Sequence, residues 1–462
     1  MVACQPTRKF LFFTKSMPYR FIDLFAGLGG FHHALRALGH ECVFASELKE
    51  DLREIYKINF PNTPIEGDIT KINARNGIPA HDILCAGFPC QPFSQAGRRL
   101  GFEDADRGNL FMYICDILYA HRPKFVFLEN VSNLEKHDNG RTWETIKSKL
   151  EELGYGVKKA VLSPHQFGLS QHRKRIFIVG INRDYGSIDD FSFPDPKDYT
   201  RFKPDVRNML DTEDTNIVPL KDETWEQLQV WDEFIRLCDL HHEPIPTFPI
   251  WAMEFGADYE FTDTAPAYQD IERLRGRKGK LGIIINGSTK EECLAQLPKY
   301  AVTDKDEVFP DWKIRYIQQN RDFYERNRAW LDAWIENIRD FENSHMKFEW
   351  NCGKDSDHDL FTKIIQFRPS GIRVKLPNCI PALNLVGTQI PIIPWVKLPE
   401  SALGENVTRD HGRYLSIREG AILQGLKQLN FGNLSYSRTW EALGNAVNAT
   451  LVKHIAKNLP EL

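Results

Sequence analysis

Short apolar runs that each end at a glycine or an acid, with helical patterns between them, constrain this chain more than any other feature. Ile83-Leu84-Cys85-Ala86 is wholly apolar and is followed at once by Gly87. A run of that kind reads as a strand buried on both faces, the habit of parallel sheets covered by helices. Tyr19 to Phe25, Glu41 to Ser46 and Lys124 to Leu128 behave alike, and Val157 to Leu162 and Ile176 to Gly180 are two further strands. Helical patterns occupy Phe31 to Leu38, Asn109 to Tyr119 and Trp143 to Leu153, with Gly154 placed as a C-cap. Strands alternating with helices predict an α/β domain, with helices on both faces of the sheet. In open sheets of that class ligands bind beyond the carboxyl ends of the strands. The residues at those ends are therefore the ones to read for chemistry.

After the first strand comes Ala26-Gly27-Leu28-Gly29-Gly30, a glycine turn opening a helix. Glycine there permits positive φ and close approach of a ligand to the backbone. The spacing is neither the dinucleotide fingerprint nor a P-loop, so a plain tight turn is the competing reading. The second strand ends in Glu47, where a ribose diol is held in such folds. A carboxylate favoured at a helix N-terminus explains the same residue. Asp68, followed by Ile69, is placed to accept from an adenine amino group while Ile69 packs on the ring. The run Ile83 to Ala86 leads through Pro89 to Cys90, Gln91, Pro92, Phe93 and Ser94. Two prolines stiffen that loop and hold the thiol as a nucleophile is held; alone, the thiol reads equally as a small core hydrophobe. Lys124 to Leu128 ends in Glu129, at the same sheet edge as Cys90. Arg173 and Arg175 alternate at the start of the next strand and can face one side.

Composition closes off several alternatives. No apolar run reaches the roughly 20 residues that span a bilayer. The nine cysteines include no CxxC pair, so neither a zinc site nor a disulfide framework is indicated. A reducing compartment follows. The net charge of −4 does not advertise a nucleic-acid binder, so any basic surface must be local. Residues 1–17 read as a leader. Beyond Asn182 the character changes to Pro, Asp and charge. Trp225 to Leu237 and Asp322 to Asn337 are helical, the latter with Phe323, Asn327, Trp330, Leu331, Trp334 and Ile338 on one stripe. Those aromatics read as core. Two basic stretches remain, Arg273 to Lys280 and Gln366 to Lys375, each a phosphate-contacting loop or a solvated one.

Taken together these residues resemble the DNA (cytosine-5)-methyltransferase family. The resemblance rests on Asp23 to Gly30, Gly87 to Ser94, Glu129-Asn130-Val131, Gln171 to Arg175, Arg418-Glu419 with Leu423-Gln424-Gly425, and Gly444-Asn445-Ala446-Val447, in the family's order. It implies a Rossmann-like, mixed-sheet catalytic domain that uses S-adenosylmethionine (SAM), over residues 18–185 and completed by 410–462. It implies an inserted α+β target-recognition domain over 186–409. Leu426 and Asn448 depart from the family's usual Phe-Pro and Pro, which touches packing only.

The resemblance also implies roles. Cys90 adds to cytosine C6 and makes C5 nucleophilic, splitting one hard step into two. Glu129, its pKa raised by burial, protonates N3 and holds the 4-amino group. Arg175 binds O2, and Arg173 orients Glu129 or contacts phosphate. Phe25, Ala26, Gly27, Gly29, Gly30, Glu47, Asp68, Ile69, Pro89, Asn445 and Ala446 bind SAM, which leaves as S-adenosylhomocysteine. Gln91, Ser94, Arg275, Arg277, Arg368 and Arg373 contact DNA. No metal is required. The base must be flipped out of the duplex to be reached. The expected partners are double-stranded DNA and, acting separately, a cognate restriction endonuclease; no membrane is involved. A monomer in the bacterial cytoplasm is expected. An RNA cytosine-5 methyltransferase is the first rival, disfavoured by the long 186–409 insert. A DNA-binding protein with a dead catalytic domain is the second, disfavoured by intact Cys90, Glu129 and Arg175.

Overall fold

The structure, a computed structural model, describes residues 18–89, 110–303, 305–383 and 389–462. It divides into two compact units. The first comprises the described residues up to Lys203 with Ala421–Ser435 and Ala442–Leu462; the second comprises Pro204–Gly420 and Tyr436–Glu441.

The first unit is built on a seven-stranded sheet. Its strands are β1 (Arg20–Leu24), β2 (Glu41–Ser46), β3 (Ile65–Glu66), β4 (Ile83–Gly87), β5 (Phe125–Val131), β6 (Tyr155–Leu162) and β7 (Arg175–Asn182). The order across the sheet is β3-β2-β1-β4-β5-β7-β6. The first five strands run parallel, whereas β7 is antiparallel to both β5 and β6. The central strands β1, β4, β5 and β7 are buried on both faces, as their apolar runs require, whereas the edge strands β3 and β6 are only partly buried. Alternate residues choose the face. Ile22, Leu24, Leu84, Ala86, Val126 and Leu128 share a core with α3 (Leu110–His121) and α4 (Arg141–Glu152). Phe21 and Phe127 point the other way and meet His32 and Phe31 of α1 (Gly30–Arg36). Helix α2 (Glu50–Asn59) adds Tyr56 there, packed on Phe60. The sheet thus carries helices on both faces, an α/β fold.

Residues 186–203 belong to this unit because they are pinned to it. Lys158 Nζ donates to Phe191 O at 2.8 Å, and Tyr199 Oη lies 3.0 Å from His454 Nδ1. At the other boundary His411–Tyr414 is a strand of the second unit's sheet, paired with Ile392–Lys397, which draws 410–420 into that unit. The compact units therefore change over at 203/204 and 420/421, not at the expected 185/186 and 409/410.

The second unit packs two long helices, α5 (Asp222–Leu240) and α6 (Asp311–Ile338), on a six-stranded, mostly antiparallel sheet. Trp231 and Trp334 are buried between them, each donating its indole N–H to a carbonyl, His345 O and Val230 O, both at 2.9 Å. Each such ring removes roughly 150–250 Å² from water. The stripe from Phe323 to Ile338 is buried as expected. The helix begins eleven residues earlier than the apolar pattern suggests because Asn320 interrupts that pattern. Asn320 is fully buried and fully used: its amide donates to Pro249 O and Tyr316 O and accepts from Trp251 N.

Candidate active site

The glycine turn follows directly from β1. Phe25, Gly27 and Gly29 all have positive φ, 55°, 53° and 74°. For Phe25 that is a strained, left-handed backbone, half-buried at the strand end. Ala26 N–H donates to Ser46 O, which fixes the turn to the end of β2. Glu47 then closes it: its carboxylate accepts from Gly27 N–H at 2.9 Å and from Lys49 N–H at 2.9 Å. The helix N-terminus reading of Glu47 is met, since Lys49 is the N-cap of α2. Two backbone donors use only part of a carboxylate's acceptor capacity, so Glu47 can still accept from a diol.

Asp68 lies beyond β3. One oxygen accepts from Thr70 N–H and Oγ1, while the other has Lys71 at 3.9 Å. The Thr70 hydrogen bonds hold this carboxyl below its ordinary range, so it is an acceptor at neutral pH. Ile69 is buried in the core. The apolar surface left exposed beside Glu47 is Leu48, 69% accessible. Sequence reasoning passed over Leu48; its signal was a large apolar side chain immediately after a strand-end acid.

Pro89 is exposed just past β4. Cys90, Gln91 and Ser94 lie outside the described residues. What precedes them is well fixed: Gly87 is registered against Glu129, and Asn130 Nδ2 donates to Phe88 O at 2.8 Å. The loop that carries the thiol therefore departs beside Glu129. Because β7 is antiparallel to β5, its beginning lies where β5 ends, with Arg175 opposite Val131. Arg175 Nε sits 3.1 Å from Glu129 Oε1, and its Nη1 donates to Lys174 O. Burial pushes the Glu129 carboxyl above its ordinary range, against the opposing pulls of Arg175 and Arg173.

Arg173 is placed differently from the expectation. It is 2% exposed, too deep to contact phosphate. Its guanidinium donates to Gly444 O at 2.7 Å and Ala446 O at 3.0 Å. Burial and Arg175 draw its pKa down to about 9, which leaves it a cation at neutral pH. Its part is to hold the Gly444–Val447 turn while its charge reaches Glu129. That turn joins two helices. Asn445 ends one helix, Ala446 and Val447 turn, and Asn448 caps the next, accepting from Leu451 N–H. Asn445 is exposed and Ala446 buried. The turn packs where two glycines leave room: a Cβ on Gly30 would lie 2.3 Å from Val447 O, and one on Gly87 would lie 2.9 Å from Val447 Cγ2. Glycine at the end of a buried strand was the signal for such a close approach. Gln171 is buried, with neither amide atom partnered among the described residues.

In the second unit Arg273, Arg277, Arg368 and Arg373 are paired with acids, and Arg275 with a carbonyl. Arg273 and Arg277 share Glu260, at 2.5 and 2.9 Å, and Arg275 donates to Gly287 O at 2.7 Å. Arg368 and Arg373 share Glu349, at 2.8 and 2.9 Å. Among the described residues no group of His, Cys, Asp and Glu is arranged to hold a metal, and no helix is long and apolar enough to cross a membrane.

A family model described as C-5 cytosine-specific DNA methylase matches residues 19–238. The chain is 42% identical over 464 aligned positions to the type II methyltransferase M.BanI of Aneurinibacillus aneurinilyticus, covering 96% of each chain. It is 31% identical over 509 positions to M.AluI of Cellulosimicrobium cellulans, covering 95% of this chain and 91% of that one. To M.HhaI of Haemophilus parahaemolyticus it is 48% identical over 187 residues, and there the match spans only 56% of the relative's length.

Proposed function

Because the chain belongs to the family of C-5 cytosine-specific DNA methylases, we propose that it methylates C5 of a flipped cytosine in a specific duplex DNA sequence. The observation that carries this reading is the Glu129 site: a buried carboxyl with raised pKa, held by Arg175, at the strand end from which the Cys90 loop departs.

Cytosine C5 is too weak a nucleophile to take a methyl group unaided. The Cys90 thiolate adds to C6, and the electron pair of the 5,6 double bond becomes available at C5. Negative charge that would gather on the ring is relieved at N3 by the Glu129 proton. Burial raises the Glu129 pKa, so its protonated, donating form is easier to reach than that of a carboxyl in water. Arg175, anchored to Glu129 through Nε, offers its remaining donors to O2. Arg173 acts through position, bracing the Gly444–Val447 turn. After transfer, loss of the C5 proton, departure of the thiolate and return of the N3 proton to Glu129 restore the aromatic ring and the acid.

The methyl donor is SAM, which supplies an electrophilic methyl group on a sulfonium. The first unit fits it. Gly27 and Gly29 present a bare, positive-φ backbone, Glu47 and Asp68 keep acceptor capacity for ribose hydroxyls and an adenine amino group, and Leu48 offers an exposed apolar surface. Ala26, Gly30, Asn445 and Ala446 shape the wall on the other side of the turn. In this reading the first unit performs the transfer and the second chooses the sequence. The likeness to M.BanI and M.AluI supports a modification role beside a separate restriction endonuclease.

The test is to express the chain in a host lacking cytosine methylation and sequence its DNA after bisulfite treatment. The reading expects protected cytosines at one short recurrent sequence. Uniform conversion, with folded protein present, contradicts it.

A further inference from the structure

The sheet of the second unit has two unlike faces. On β9 (Lys347–Asn351) and β11 (Ile372–Lys375), with β8 (Ile250–Trp251) and β10 (Ile364–Gln366) as their neighbours, Phe348, Trp350, Ile372 and Val374 face the core. The alternate residues Glu349, Asn351, Arg373 and Lys375 must stand on the opposite face. β9 and β11 run parallel with Glu349 directly beside Arg373. Arg373 Nε donates to Glu349 Oε2 at 2.9 Å, and Nη2 lies 2.9 Å from the same oxygen. The other oxygen, Oε1, lies 2.8 Å from Arg368 Nη2. Arg368 is the more deeply placed, its side chain 12% exposed against 33% for Arg373. Its Nε is buried without a hydrogen-bond partner among the described residues.

This arrangement separates the two arginines. Arg368 is a brace: it neutralises Glu349 from beneath and is too buried to reach far. Arg373 has its Nε–Nη2 edge fixed by the carboxylate, which leaves the Nη1–Nη2 end of the fork with no protein partner among the described residues. A free arginine would surrender rotamer freedom on docking; this one is already oriented. The end of an arginine fork matches O6 and N7 of guanine in the major groove. Two arginines share Glu349, so the three groups together stay net positive and a phosphate is the competing occupant. What suits a base edge is the plane of the Arg373 fork, which the carboxylate holds fixed.

We propose that Arg373 reads a guanine in the target duplex and that Glu349 is the positioning residue that fixes its plane, with Arg368 bracing Glu349. The proposal rests on the methyltransferase reading above. Its test uses the full chain on a randomised duplex library, with labelled SAM and sequencing of the methylated molecules. The wild-type profile comes first and fails only if the methyltransferase reading fails. Arg373→Lys keeps the charge and loses the fork; it should relax discrimination at one G·C pair by roughly 5- to 150-fold. Glu349→Gln keeps the shape and loses the anchor; it should relax the same pair by a smaller factor and leave other positions alone. Thermal melts matched to wild type exclude misfolding, and Glu349→Asp should restore part of the lost discrimination. If both Arg373→Lys and Glu349→Gln lower methylation of every sequence by one factor, with an unchanged profile, Arg373 merely positions DNA or holds the sheet, and the proposal is overturned. Relaxation at a pair other than G·C overturns it equally.

Discussion

Gly30→Ala puts two physical effects in direct opposition. Gly30 is the first residue of α1, and replacing glycine by alanine in a helix ordinarily stabilises by up to about 1 kcal/mol. Here the new methyl would sit 2.3 Å from Val447 O and 3.0 Å from Val447 C and Cβ. Comfortable carbon contacts lie at roughly 3.5–4.0 Å, so the turn must retreat by about 1 Å. It is poorly free to do so. Arg173 holds Gly444 O and Ala446 O, Asn448 Nδ2 donates to Leu423 O at 2.8 Å, and Ala449 N–H donates to Gln424 O at 2.9 Å. Overpacking of a fixed site costs about 1–3 kcal/mol, so the net expectation is a loss of about 1–2 kcal/mol. For a unit of this size that lowers Tm by roughly 2–8 °C. A turn displaced by this much no longer matches the cofactor, and SAM affinity should fall about tenfold or more. Thermal unfolding with and without SAM, and calorimetric titration of SAM, measure both. A Tm equal to or above wild type, with unaltered SAM affinity, would show that Val447 yields freely and would refute the reasoning.

Glu129→Gln keeps volume and removes the proton donor; kcat should fall by roughly 10²–10⁴ while SAM binding is preserved, read by single-turnover methyl transfer beside titration. In the wild type, activity should decline as pH rises through the raised Glu129 pKa, because only the protonated acid donates; a rate that climbs steadily with pH speaks against that role. In the second unit, Glu419 is fully buried and accepts from Arg413 Nη1 and Nη2, Ser416 N–H and Asp211 N–H. Glu419→Gln faces those donors with an NH₂ and strands Arg413, so urea unfolding should show a loss of about 3–5 kcal/mol; a loss under 1 kcal/mol would mean that water or local rearrangement replaces the pair.

What the sequence revealed, and what it hid, follows physical lines. The central strands of the first sheet are legible because burial on both faces leaves unbroken apolar runs, and Glu47, Glu129 and Arg175 stand at strand ends that this pattern defines. The strand before Asp68 is not, because its two residues, Ile65 and Glu66, make no apolar run. For Arg173 the choice between orienting Glu129 and contacting phosphate was not legible, because alternation along a strand says which side a residue faces, not how deep that side is. Its carbonyl partners at Gly444 and Ala446 lie 271 and 273 residues away, and no local pattern encodes that. Helix α6 was cut short for a related reason: Asn320 reads as polar surface until Pro249, Tyr316 and Trp251 are seen around it. The basic clusters looked like free positive surface because Glu260 and Glu349, which divide their charge, come from other strands and loops.

The account stands most directly on Cys90. The measurement is to incubate the protein and SAM with a duplex that carries its target sequence with 5-fluorocytosine at the methylated position. Fluorine cannot leave C5 as a proton does, so the ring stays joined to the thiol after methyl transfer. The account predicts a complex that survives denaturation, whose digest shows the nucleotide on the peptide containing Cys90, and which Cys90→Ser does not form. Methylation of the ordinary duplex without any such adduct, or an adduct on another residue, would contradict it.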